Sequence, residues 1–163
     1  MYAADEAHMD RAIALAGDAA SDGDVPVGAA LVIGPRVFYA RNEKERRRDP
    51  SAHAEILAIR SAAATLGTWR LSGATLYVTK EPCVMCAGAI AAARIARVVF
   101  GCDDPKGGAA GSAIDVFASA AIHHRVSVTR DVRRDETSAQ LRSYFAAKRA
   151  GGGGQGPGRS GVT

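Results

Sequence analysis

Residues 74–101 contain ATLYVT, then EPCVMCAGAIAAAR, then RVVFG. The flanking runs are short, rich in apolar and β-branched residues, and suit strands buried on both faces. The alanine-rich stretch between them, opened by Pro82, has the composition of a helix. Strand, helix and strand in this order imply a parallel pair joined by a right-handed crossover, which commits the chain to an α/β class.

The other elements are arranged around that unit. Residues 5–20 place Met9, Ile13, Leu15 and Ala16 on one side of a helix that SDGD stops. VPVGAALVI and RVFYA form a hairpin through Gly34 and Pro35, and a polar, basic connection, RNEKERRRDP, follows. The segment from Ser51 to Gly67 reads as a helix with a glycine stop. After the second parallel strand come a glycine-rich loop over 101–111, a short apolar piece at 114–117, a strand RVSVT and a last helix over 134–149. No internal repeat is visible.

With 163 residues the chain is one domain, able to bury about two-thirds of its unfolded surface without staples. Residues 1–150 carry the domain, and the glycine-rich stretch 151–163 has nothing to bury and is expected to be a disordered tail. The beginning, MYAADEAHMDRAIALAG, lacks the basic start and apolar centre of a secretory signal, and no apolar run is long enough to span a membrane. A cytoplasmic location follows as the expectation. The formal charge of +4 is compatible with a polyanionic partner.

Among only three cysteines, Cys83 and Cys86 form Cys-x-x-Cys. In a reducing compartment this is a metal or catalytic pair more often than a disulfide. Two thiolates alone cannot hold zinc, but the HAE stretch supplies His53 as a third ligand and Glu55 as a carboxylate free to move protons. Cys102, His123 and His124 lie too far along the chain to make a convincing fourth ligand, so a water position stays open. Both halves lie at helix starts, where the dipole favours thiolate. The spacing H-x-E followed by P-C-x-x-C is the signature of zinc nucleobase deaminases.

Longer stretches extend the match. VPVGAALV, DPSAHAEILAIR, WRLSGATLYVTKEPCVMCAGAI, ARVVFGCDDPKGGAAGS and HRVSV, in order from Val25 onward, resemble the bacterial tRNA-specific adenosine deaminases of the cytidine deaminase superfamily. The resemblance implies a three-layer α/β/α sandwich with a mixed five-stranded sheet, a homodimer, one Zn2+ per chain on His53, Cys83 and Cys86, and Glu55 as the catalytic proton shuttle. It implies a tRNA anticodon stem-loop as partner, whose wobble adenosine is hydrolysed to inosine with release of ammonia. By motif, Asn42 would contact the base, Val27, Ala54 and Pro82 would join it in binding the substrate, and Asp104, Lys106, His124, Phe145, Lys148 and Arg149 would meet the rest of the loop. Read without the resemblance, Asn42 is a turn residue, the glycine loop is solvated, and the last helix packs on the sheet.

Three features depart from the family pattern: Cys102 stands at a small-residue position and reads as a buried inert thiol, His123 replaces an asparagine, and ASAAI lacks histidines and a proline. Arg46, Arg47 and Arg48 form a run that could meet phosphates or remain solvated. Two rival functions share parts of this pattern. A free-base or nucleoside deaminase would need the zinc site without the glycine loop, and a zinc-stabilised RNA-binding module would have no use for Glu55.

Overall fold

The computed structural model describes residues 2–152. Its elements are α1 (Tyr2–Ser21), β1 (Gly28–Ile33), β2 (Arg36–Arg41), α2 (Lys44–Arg47), α3 (Ala54–Leu66), β3 (Thr75–Lys80), α4 (Val84–Ala92), β4 (Arg97–Cys102), β5 (Ser127–Thr129) and α5 (Arg134–Gly151). The five strands form one mixed sheet in the order β2-β1-β3-β4-β5. β1 is antiparallel to β2 and β3, whereas β3, β4 and β5 run parallel. The expected parallel pair around α4 is therefore the middle of the sheet.

Successive residues of the central strands face opposite layers, as a pleated strand requires. Leu31, Leu76, Val78, Val98 and Phe100 pack with Ala58 and Ala62 of α3 and Ile90 of α4. Ala30, Tyr77 and Val99 pack on the other side with Met9 and Ala12 of α1. With α5 also against β4 and α1, the architecture is the expected three-layer sandwich. The close seating of α1 explains Gly28: a Cβ there would lie 1.9 Å from the carbonyl oxygen of Ala12. None of the described helices is long and apolar enough to cross a membrane.

Some boundaries differ from expectation. α3 begins at Ala54 rather than Ser51, because the Asp49 carboxylate accepts from the Ser51 N–H at 2.9 Å and its hydroxyl at 2.7 Å, a local turn that competes with helix. The basic connection contains α2, capped from a distance: the buried Asp24 carboxylate accepts from the N–H groups of Glu45 at 2.7 Å and Arg46 at 3.2 Å. β5 begins at Ser127 instead of Arg125. α5 runs on to Gly151, and the rest of the expected tail lies outside the described residues.

One polar cluster ties the layers together. Arg97 of β4 donates both terminal nitrogens to the buried Asp5 carboxylate at 2.9 and 2.8 Å, and Tyr77 donates its hydroxyl to Asp5 at 2.9 Å. Arg97 also donates to Thr129 of β5. The guanidinium holds the Asp5 carboxyl below its ordinary range, while burial, reinforced by Asp5, pushes the Tyr77 phenol up to about 12. Asp5→Asn should cost about 3 kcal/mol, since it leaves Arg97 unpaired, measurable by urea denaturation. Because the folded pKa of Asp5 is lowered, its contribution is complete above the ordinary carboxylate value of ~3.9 and disappears as pH falls through the folded value. The stability gap between wild type and variant should therefore close on acidification.

Candidate metal and catalytic site

Two helix starts meet just past the end of β3, the central strand of the sheet. His53 is the N-cap of α3 and Cys83 the N-cap of α4, both with extended backbone. Cys86 lies one turn into α4 and is fully buried. The His53 Nδ1 is 3.6 Å from Cys83 Sγ and 3.4 Å from Cys86 Sγ, and the three donor atoms lie within 4.8 Å of one another. Among the described residues no further His, Cys, Asp or Glu joins this group. Two thiols and an imidazole converging from helix N-termini are a donor set suited to a borderline-soft metal, and three donors leave a tetrahedral position open.

The thiols already differ in protonation tendency. A hydrogen bond from Cys86, assisted by His53, lowers the Cys83 thiol to about 3, whereas the same hydrogen bond and burial raise Cys86. The hydrogen bond with Cys83 raises His53. Glu55, in the first turn of α3, is buried and its carboxyl is pushed up by that burial. It stands two residues from His53 without joining the donor group, so it remains available to carry protons.

A cavity of about 170 Å³ opens over this group, and His53, Glu55 and Cys83 line it together with Val27, Asn42, Ala54 and Lys148. Asn42 is buried and immobilised: its Nδ2 donates to Val25 O at 3.1 Å and its Oδ1 accepts from Lys44 N at 3.1 Å. Each amide atom retains capacity for a ligand. Lys148 comes from α5, where its ammonium sits 5.5 Å from the centre of the Tyr144 ring, and Tyr144 lines the cavity too.

Other expected residues lie outside the cavity lining. Pro82 is buried, and its carbonyl accepts from Ala109 N at 2.8 Å. Asp104 pairs with Lys80 at 2.9 Å and folds its own loop by accepting from Lys106 N and Gly107 N. Lys106 and Arg149 are exposed. Phe145 is 43% exposed and packs edge-on against Tyr144. His124 donates to Ile95 O at 2.7 Å, anchoring the connection into β5. Cys102 is buried, and burial raises its thiol, in keeping with an inert role.

Sequence reasoning missed Glu81. This buried carboxylate accepts from Asp104 N at 2.9 Å, from Ala110 N and Ser112 N at 3.0 Å each, and from the Ser112 hydroxyl. Burial alone would raise its pKa, but the Ser112 hydroxyl and the three amides outweigh it and hold the carboxyl below its ordinary range. Glu81 thus fixes the glycine-rich loop directly beside Cys83. A Cβ on Gly108 would lie 2.3 Å from Glu81 Oε2, so the carboxylate fills the space a side chain would need. The available signal was a carboxylate directly before Pro-Cys, followed by a glycine-rich loop with many N–H groups.

Residues 3–146 match a family model described as MafB19-like deaminase. A tRNA-specific adenosine deaminase of Bacillus subtilis (strain 168) is 45% identical over 142 residues, covering 86% of this chain and 88% of the relative. A structure solved in work on A-to-I editing by tRNA:A34 deaminases at the wobble position of transfer RNA is 43% identical, with a TM-score of 0.80, covering 82% of this chain and 98% of the other. A guanine deaminase from Nitrosomonas europaea is also similar in structure, at 26% identity and a TM-score of 0.74, covering 86% of this chain and 84% of the other.

Two measurements test this geometry. A divalent metal should bind once per chain, lose its site in Cys86→Ala, and bind more tightly as pH rises, because the raised Cys86 thiol must shed its proton to become a ligand. Competition with a chromophoric chelator at several pH values reads this out. Gly108→Ala should destabilise the protein by about 1–3 kcal/mol through overpacking against Glu81, detectable by thermal denaturation, with increased proteolysis of the loop.

Proposed function

Since the chain belongs to the tRNA-specific adenosine deaminases, we propose that it hydrolyses the wobble adenosine of a tRNA anticodon loop to inosine, releasing ammonia, with one zinc ion on His53, Cys83 and Cys86. The observation that carries this reading is the three-donor group with a buried, non-ligating Glu55 beside it in one cavity. When bound, zinc supplies the acidity that makes a water nucleophile available near neutral pH.

The protein's own residues supply the remainder. A loop adenosine is already unpaired, so splaying it into the cavity costs only about a few kcal/mol. Asn42, fixed by the backbone at Val25 and Lys44, orients the base, with Val27 and Ala54 walling the cavity, and Pro82, buried next to Cys83 in the chain, is assigned to the same substrate. Glu55 takes a proton from the attacking water and places it on N1 of the purine as C6 is attacked, then takes the remaining proton of the hydroxyl added at C6 and delivers it to the amino group, which leaves as ammonia as the C6 carbonyl forms. A carboxyl raised by burial is suited to passing that proton on near neutral pH. Lys148, which lines the cavity, is assigned to the nearest phosphate, and Asp104, Lys106, His124, Phe145 and Arg149 to the flanking nucleotides.

The greater likeness to the adenosine deaminases than to the guanine deaminase favours the polymer over a free base. We assign residues 1–150 to a single deaminase domain acting in the cytoplasm. A second copy of the chain is the proposed cover for α4, which is apolar on its outer side as well: Val84 is 59% and Met85 36% exposed, beside Cys83.

Glu55→Ala should retain zinc and fold but lower turnover by roughly 10² to 10⁴. Elemental analysis combined with ammonia release from a synthetic anticodon stem-loop, set against a panel of free bases and nucleosides, checks both parts. Loss of zinc would make Glu55 a ligand. Preferred turnover of a free base would move the chain's substrate to the guanine deaminase type.

A further inference from the structure

A second concavity, a surface groove of about 700 Å³, lies on the β2 edge of the sheet between α2 and α3. Tyr39 and Leu57 are among its apolar lining, and Arg41, Arg46, Arg47 and Arg60 also line it. We propose that this groove binds the phosphate backbone of the RNA stem whose loop base enters the catalytic cavity, a proposal that rests on the RNA reading above.

The charge balance supports an anionic occupant. Of the acidic residues, only Glu43 lines the groove. Two carboxylates serve three arginines: Asp22 is shared between Arg41 at 2.6 Å and Arg46 at 3.2 Å, and Glu43 between Arg41 at 3.9 Å and Arg47. Arg60, across the groove on α3, takes part in no ion pair among the described residues. The Arg46 and Arg47 side chains are each 55% exposed. A guanidinium has five donors in a planar fork, so one carboxylate contact leaves others for phosphate oxygens. A pair such as Arg46–Asp22, exposed on both sides, is weak and screened, so phosphate can replace it.

Position supports an extended polyanion over a single small one. One short segment, residues 41–47, borders both concavities. Asn42, Lys44 and Glu45 line the catalytic cavity, and Arg41, Glu43, Arg46 and Arg47 line the groove. A nucleic acid with one loop base in the cavity continues past this ridge, so the stem that follows the loop can run along the arginines on its other side. The ridge is rigid: Asp24 caps α2 at its start, and Arg48 closes it in a left-handed conformation at φ 52°. The cations come from β2 and α2 on one wall and α3 on the other, so a row of phosphates can be held from both sides.

The test compares the zinc-loaded full chain with an Arg46→Gln, Arg47→Gln, Arg60→Gln variant. The probes are a synthetic anticodon stem-loop with adenosine at the wobble position and the same loop sequence without its stem. Fluorescence anisotropy over a salt series should show the variant binding the stem-loop roughly 10- to 100-fold more weakly at low salt, with a log–log salt slope shallower by about two to three. Binding of the stemless loop, and kcat at saturating stem-loop, should change little. Arg60→Gln alone, which breaks no ion pair, should reduce the slope by about one and serves if the triple variant is poorly folded.

Equal affinity and slope for wild type and variant would overturn the proposal, as would equal weakening of both probes. Loss of self-association in place of RNA affinity would make the groove a protein interface instead. A wild type that binds the stem-loop with this salt slope but releases no ammonia overturns the reaction and leaves the groove standing. A wild type that deaminates it while the variant's slope is unchanged does the reverse.

Discussion

Everything at the catalytic centre depends on two helices beginning at one place. α3 and α4 start with their first-turn N–H groups aimed at the same few ångströms, and their capping residues are His53 and Cys83. Neither cap uses its side chain to satisfy its own helix, unlike the usual serine or aspartate. The positive helix ends instead act on the sulfur atoms, where they favour thiolate. The packing of both helices on β1, β3 and β4 through Ala58, Ala62 and Ile90 brings those ends together. Small alanine side chains allow the close approach, so core composition and site geometry are one constraint.

A second level of organisation consists of carboxylates that bind backbone N–H groups. Asp24 holds α2 and thereby the segment that carries Asn42. Glu81 gathers the N–H groups of the glycine-rich loop, and Asp104 continues the pattern within that loop. Irregular backbone bordering a cavity cannot satisfy its amides through a ladder, and buried acceptors perform that task. Rigid loops result around a base-sized space, which is what orientation of a reacting purine demands.

The legible part of the sequence was the part governed by periodicity and spacing. Apolar runs located the five strands, and alanine-rich segments located α3 and α4, because those patterns follow from burial by neighbours nearby in the chain. His53, Glu55, Cys83 and Cys86 were legible because metal chemistry restricts residue type and spacing. Glu81, Asp24 and Asp5 were not, since each acts on partners brought close only by the completed fold. Nothing near Asp24 indicates that it caps a helix 21 residues later, and Arg60 looks like any exposed helical cation. His124 adds a structural contact that its motif position did not announce: its ring donates to Ile95 O and anchors the connection into β5.

The Asp5–Arg97 pair joins residues 92 positions apart. During synthesis at about 5–20 residues per second, roughly 5 to 20 s separate the emergence of α1 from that of the strand that locks it. For most of that interval the Met9 and Ala12 face of α1 has neither Tyr77 nor Val99 to pack against. β1 and β2 can pair as a local hairpin early, but β1 must keep its other edge free for β3. The nascent chain thus passes through a stage with an apolar helix face and an open strand edge, the period in which chaperone protection and translation speed have most influence on yield.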